Sequence, residues 1–107
     1  MRRNDAIQIL QQHSNELMRD FGVKSLALFG SVARNEAQES SDVDLLVEFD
    51  GRPIGLFQLA GLYGRLSEML RADHLDLVMR DSIYPPLKEN ILGEAIDVFA
   101  TQVGASH

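Results

Sequence analysis

The sequence predicts an α/β (α+β) protein in which a small mixed β-sheet of three to four strands is flanked by helices. Short apolar runs, bounded by glycine or polar residues, alternate with longer segments whose apolar residues recur at helical spacing. The segment between the second and third short runs is long enough for a helical crossover. Such a crossover would make the strands on either side of it parallel.

Length and composition limit the class of protein. We expect a single domain over residues 1–107, with an ordered core at about residues 4–100. The formal charge of −6 argues against direct nucleic-acid binding, but it is compatible with a metal-bound nucleotide or a basic protein partner. The absence of cysteine excludes disulfides and thiolate metal sites. No stretch has the pattern of a membrane span or signal peptide, so a cytoplasmic location is expected.

The first half of the chain predicts a helix, a strand and a second, short helix. The first helix is expected over residues 4–21, and Gly22 is suited to end it. Its apolar positions approximate one face: Ile7, Leu10, Leu17, Met18 and Phe21. A buried strand over residues 23–29 follows, then a short helix over 31–36 and a polar loop over 37–41.

The second half predicts two more strands, a long helix between them, and a short helix and edge strand at the end. The strands are expected over residues 43–49 and 75–79. The long helix is expected over residues 55–71, with its apolar face formed by Leu56, Leu59, Tyr63, Leu66 and Leu70. A helix beginning at Tyr84-Pro85-Pro86 ends near Gly93, and residues 95–99 form the edge strand.

Three aspartates are the candidates for chemistry. Asp42 and Asp44 lie one residue apart, so on a strand they point to the same face, with Cα atoms roughly 6.6 Å apart. Asp76 lies near the start of the third strand, and a parallel arrangement would bring it beside them. Three such carboxylates repel one another without a cation, and oxygen-only ligands suit Mg²⁺ or Mn²⁺. The set is typical of metal-assisted phosphoryl or nucleotidyl transfer.

A glycine-serine turn forms the second half of the candidate site. Gly30 would allow a close approach of backbone to phosphate, and Ser31 would open a helix whose free N–H groups favour anions. Arg34, one turn later, could add a charge-assisted contact. Each piece alone also has a simpler interpretation, because Gly-Ser is a common turn and isolated acids usually lie on solvated surfaces. Their combination and order make the site hypothesis specific.

These motifs resemble those of the DNA polymerase beta-type nucleotidyltransferase superfamily. The resemblance is carried by Gly30-Ser31-x-Ala33-Arg34, Ser41-Asp42-x-Asp44-Leu45-Leu46-Val47 and Leu75-Asp76-Leu77-Val78. The length and the segment Ile91-Leu92-Gly93-Glu94-Ala95 resemble the superfamily's minimal nucleotidyltransferase (MNT) branch. One departure is Asn35, where many members have glycine after the arginine.

The resemblance implies a nucleotidyltransferase fold and an enzyme that transfers AMP from ATP to a tyrosine of a HEPN-domain toxin, as that toxin's antitoxin. It implies two Mg²⁺ ions held by the catalytic acids Asp42, Asp44 and Asp76. It also implies nucleotide binding by Gly30, Ser31, Arg34 and Ser41.

Two other functions remain open at this point. The chain could neutralise its partner by occlusion without catalysis, or it could transfer a nucleotide to a small molecule. The sequence does not determine the nucleotide preference, the acceptor residue, the number of groups transferred, or whether the chain forms a homo- or hetero-oligomer.

Overall fold

The computed structural model describes residues 2–36 and 42–100 of the 107-residue chain. Its elements, in chain order, are α1 (Arg3–Gln12), α2 (Ser14–Phe21), β1 (Val23–Phe29), α3 (Gly30–Ala33), β2 (Val43–Phe49), α4 (Leu56–Leu70), β3 (Leu75–Met79), a 3-10 turn (Arg80–Ser82), α5 (Pro85–Glu94) and β4 (Ile96–Asp97). Among these residues no helix is both long and apolar enough to cross a membrane.

The four strands form one mixed sheet in the order β3-β2-β1-β4. Strand β1 pairs antiparallel with both β2 and β4, whereas β2 and β3 are parallel. The parallel pair confirms the predicted role of α4 as a crossover, since two parallel strands need a long connection between them. The mixed sheet with flanking helices confirms the predicted fold class, and β4 lies at an edge as expected, although it is shorter than predicted.

The sheet has one face in the main core and another that carries the candidate site. On β2, Val43, Leu45 and Val47 point into the main core, which α1, α2 and α4 help to form. The alternate residue Leu46 joins a smaller apolar cluster on the opposite face with Phe29. This is the alternation expected of a pleated strand, and it leaves Asp44 on the face opposite the main core.

The first predicted helix is in fact two helices. The amide of His13 donates to the carbonyl of Leu10, three residues back, so the regular α-helical bonding is interrupted between α1 and α2. Leu10 and Leu17 are both fully buried on either side of this break, whereas Met18 is 39% exposed. Gly22 ends α2 in the left-handed conformation that its sequence position predicted.

The buried face of α4 agrees with the predicted one at Leu66 and Leu70 but differs from it elsewhere. Leu62, Leu66 and Leu70 recur every four residues and are buried against the sheet. Leu56 and Tyr63 lie roughly 60–80° around the helix axis from the centre of this face. As a result Leu56 is 80% exposed and Tyr63 is also exposed.

Helix α3 ends at Ala33, earlier than predicted. The backbone conformation of Asn35, the residue after Arg34, restricts which residue types fit there. Asn35 has a φ of 60°, in the left-handed region that most side chains avoid. Asparagine tolerates this conformation better than other non-glycine residues do. Asparagine at position 35 is therefore compatible with the backbone conformation that follows Arg34.

Candidate active site

Asp44 and Asp76 are direct neighbours on the two parallel strands. The register of β2 against β3 pairs Val43 with Leu75 and Asp44 with Asp76. In-register residues of adjacent strands point to the same face of the sheet. Two acids far apart in the chain therefore meet at one end of the sheet, as the sequence predicted.

The environment of Asp44 is unfavourable for its negative charge. Partial burial raises the pKa of the Asp44 carboxyl, and the nearby charges of Asp76, Asp42 and Glu94 raise it further. Arg34 opposes these effects only in part. A cation bound beside Asp44 would relieve this repulsion, because it would favour the ionised carboxylate.

Gly30 lies at the end of β1, where the chain turns into α3. Its φ is +74°, and Phe29, just before it, pairs with Asp44 across the β1-β2 ladder. A Cβ atom on residue 30 would collide with the Asp44 carboxylate and lie 2.9 Å from its Cγ atom. Glycine is therefore required here both by the backbone conformation and by the space that Asp44 occupies.

Ser31 and Arg34 flank the short helix that follows. Ser31 is half-buried in the first turn of α3, and its hydroxyl has no hydrogen-bond partner among the described residues. Arg34 ends the helix and forms ion pairs with Glu36 and Glu94. Ser41, the remaining predicted nucleotide-binding residue, lies outside the described residues.

Glu94 is a site residue to which the sequence interpretation assigned no role. It is the last residue of α5, and its Oε1 atom accepts a hydrogen bond from the Gly30 amide over 3.0 Å. Its Oε2 atom lies 2.8 Å from Nη1 of Arg34. The only sequence signal was its place in the segment that resembles the MNT branch.

The candidate metal ligands are carboxylate oxygens, the type of ligand that hard divalent cations prefer. No three His, Cys, Asp or Glu side chains in residues 2–36 and 42–100 already surround a common point. Mg²⁺ is usually bound by one or two carboxylates together with water and substrate phosphates, so Asp44 with one neighbour would suffice.

A mixed sheet that places paired acids beside a glycine-serine turn defines the class of protein. The chain belongs to the nucleotidyltransferase domain family, whose model matches residues 10–98. It is 39% identical over 90 residues to the protein adenylyltransferase MntA of Thermococcus cleftensis, covering 84% of this chain and 89% of that protein. A protein of Methanocaldococcus jannaschii, provisionally named a protein adenylyltransferase, is 40% identical over 87 residues, which are 81% of this chain and 87% of that protein.

Solved structures agree with this assignment. A structure provisionally described as a minimal nucleotidyltransferase has a TM-score of 0.72 and 34% identity, and the match covers 90% of this chain and 95% of that chain. A Shewanella oneidensis complex of a tri-AMPylated HEPN toxin with its MNT antitoxin matches with a TM-score of 0.60, 22% identity and coverage of 89% and 73%. At that identity the second match supports the fold alone. The predicted nucleotidyltransferase fold is thus confirmed.

Proposed function

We propose that this chain is a Mg²⁺-dependent enzyme that transfers AMP from ATP to a tyrosine hydroxyl of a HEPN-domain toxin and so acts as its antitoxin. The observation that carries the proposal is the in-register pair of Asp44 and Asp76 beside the turn at Gly30. Support also comes from the relative MntA, which is named a protein adenylyltransferase. A further fold match is a toxin-antitoxin complex with the ATP analogue AMP-PNP.

In this proposal the acids and the turn divide the work on the nucleotide. Asp42, Asp44 and Asp76 hold two magnesium ions, which neutralise phosphate charge when bound. The amide of Gly30 and the hydroxyl of Ser31 donate to phosphate oxygens. Arg34 adds a charge-assisted contact. Ser41 is proposed to join this set, as its position in the motif implies.

The acceptor hydroxyl is activated at Asp76, which is exposed and therefore accessible to a protein substrate. The Asp76 carboxylate takes the hydroxyl proton as the oxygen attacks the α-phosphorus. A new oxygen-phosphorus bond forms while the bond between the α-phosphorus and the bridging oxygen breaks, and pyrophosphate leaves with that electron pair. The chain contributes chiefly positioning and charge compensation.

The test is label transfer from ATP to the partner. Wild-type protein, Asp44→Asn and Glu48→Gln are incubated with Mg²⁺, ATP labelled on the α-phosphate and the partner HEPN protein. Glu48 is a matched control because it lies on the same strand and bonds Ser25 instead of the candidate site. We expect transfer by wild type and Glu48→Gln but none by Asp44→Asn. Equal transfer by Asp44→Asn, or none by wild type, would contradict the proposal.

Neutralisation by occlusion is the second candidate. It is favoured by exposed apolar side chains at the start of α4, where Leu56 is 80% and Phe57 is 94% exposed. Occlusion predicts that Asp44→Asn still protects cells from the partner's toxicity. Loss of protection by a variant that still forms the complex would exclude occlusion as the whole mechanism.

A further inference from the structure

The Glu94 carboxylate occupies two groups that the proposed function assigns to the nucleotide. One oxygen accepts the hydrogen bond from the Gly30 amide, and the other pairs with Arg34. Glu94 comes from α5, 64 residues further along the chain than Gly30. A carboxylate with two oxygens on a backbone N–H and a guanidinium makes the same kind of contacts as a phosphate group.

Both side chains of this ion pair remain accessible to an incoming ligand. The Glu94 side chain is 30% exposed and that of Arg34 is 45% exposed. Ion pairs at such positions are weak, because water solvates both charges after they separate. The contact is therefore one that a more highly charged anion can displace.

The charge of Glu94 also acts on the neighbouring acids. Its carboxylate adds a further negative charge beside Asp44, in addition to the charges of Asp76 and Asp42. A triphosphate that arrives with its cations would meet this negative charge unless Glu94 moved away. Glu94 therefore opposes nucleotide binding in two ways. It occupies the Gly30 amide and Arg34, and its charge repels the triphosphate.

We propose that Glu94 is an intramolecular competitor of the nucleotide phosphates, which must displace its carboxylate from the Gly30 amide and from Arg34 in order to bind. This inference rests on the proposed function. Glu94 then lowers the affinity for the nucleotide without contacting the reacting atoms. The apparent Kd equals the intrinsic Kd divided by the fraction of molecules in which Glu94 leaves the donors free.

The test measures binding of AMP-PNP with Mg²⁺ by calorimetry to wild type, Glu94→Gln and Glu94→Ala. Glu94→Gln keeps an oxygen that can accept from Gly30 but removes the charge, and Glu94→Ala removes both contacts. We expect Glu94→Gln to lower the Kd about threefold to tenfold, as the loss of a partly exposed charged contact implies, and Glu94→Ala to lower it further.

Glu36→Gln is the matched control. Glu36 also pairs with Arg34, 3.3 Å from its Nε atom, but has no contact with the Gly30 amide. Glu36→Gln removes one negative charge beside Arg34, as Glu94→Gln does, but leaves the Glu94 carboxylate on the Gly30 amide. We therefore expect a change in Kd below about twofold. An equal gain in Glu36→Gln and Glu94→Gln would overturn the specific role of Glu94.

The chemical shift of the Gly30 amide gives a second measurement. It distinguishes competition with the nucleotide from a purely structural role of Glu94. This shift should differ between free wild type and free Glu94→Ala, but should converge in their AMP-PNP complexes. Unchanged or weaker binding by both Glu94 variants, with wild-type binding intact, would overturn this inference alone. No binding by wild type or any variant would overturn the proposed function as well.

Discussion

The carboxylate of Asp44 lies directly against Gly30, in the space that a side chain on residue 30 would fill. Asp44 lies on β2, and Gly30 directly follows β1, whose last residue Phe29 pairs with Asp44. The glycine turn and the Asp-x-Asp motif are therefore one packed unit. A change at either residue displaces the other.

Gly30→Ala should damage both stability and the candidate site. The left-handed φ and the collision with Asp44 should lower the free energy of unfolding by about 1–3 kcal/mol. Displacement of Asp44 should reduce label transfer about 100-fold. Urea unfolding and the transfer assay with ATP measure the two effects.

Gly64→Ala is the control for this substitution. Gly64 lies inside α4, and a Cβ there would meet no other atom within 4 Å. Alanine should stabilise the helix by about 0.5–1 kcal/mol without an effect on transfer. Wild-type activity in Gly30→Ala would contradict the coupling of Gly30 to Asp44.

Asp44→Asn should stabilise the protein in metal-free buffer and abolish its response to magnesium. The substitution removes a charge that burial and neighbouring acids disfavour. Because the carboxyl is only partly buried, solvent screening limits the gain to about 0.5 kcal/mol, or a rise in Tm of roughly 2–4 °C. Mg²⁺ should raise the Tm of wild type and of Glu48→Gln, since a ligand of the folded state stabilises it.

The gain from Asp44→Asn should depend on pH in a defined direction. The pKa of Asp44 is higher in the folded protein than in the unfolded chain, so its ionisation destabilises the fold. This cost is complete above the folded pKa and disappears as the pH falls below the unfolded value of about 3.9. The difference in Tm between variant and wild type should shrink as the pH is lowered. A gain that increases on acidification would contradict this account.

The ion pair between Glu16 of α2 and Arg65 of α4 should stabilise the fold at neutral pH, where ionisation of Asp44 destabilises it. Nε of Arg65 donates to Glu16 over 2.6 Å, and Nη2 donates to its other oxygen over 3.0 Å. These bonds and the charge of Arg65 hold the pKa of Glu16 below its usual range. The stabilisation is therefore complete above the unfolded pKa and is lost as the pH falls through the folded one.

Glu16→Gln should lower the free energy of unfolding by about 1 kcal/mol at pH 7 and by less at pH 4, as measured by urea unfolding. Glu89→Gln, at an exposed position of α5, is the control for a lost negative charge and should have almost no effect. A loss of equal size at both pH values would show that the ion pair is not its cause.

Two apolar residues of α4 should respond very differently to truncation. Leu62 is fully buried, whereas Phe57 is 94% exposed. Leu62→Ala should cost about 2–5 kcal/mol because it leaves a cavity, and Phe57→Ala should change stability by less than about 0.5 kcal/mol. Urea unfolding at low protein concentration measures both. A large loss of stability in Phe57→Ala would contradict the exposed position of Phe57.

Local sequence patterns were sufficient to predict most elements of the fold. The alternation of residues 43–49 predicted that Asp44 and Val43 face opposite sides of the sheet, and the structure confirms this. The break at His13 was missed, because Leu10 and Leu17 are seven residues apart and fit one continuous helix equally well. The exposure of Tyr63 was missed because helical spacing indicates a face but not where that face meets the sheet.

The sequence by itself determined the strands, the crossover helix and which strands carry Asp44 and Asp76, because periodicity and turn residues act over a few neighbours. Only the tertiary structure decided that Asp44 and Asp76 are exact partners in register and that Asp44 requires a glycine at residue 30. It also brought Glu94 back onto the Gly30 amide. Contacts of that kind depend on how α5 packs against the first strand's turn, which no local pattern encodes.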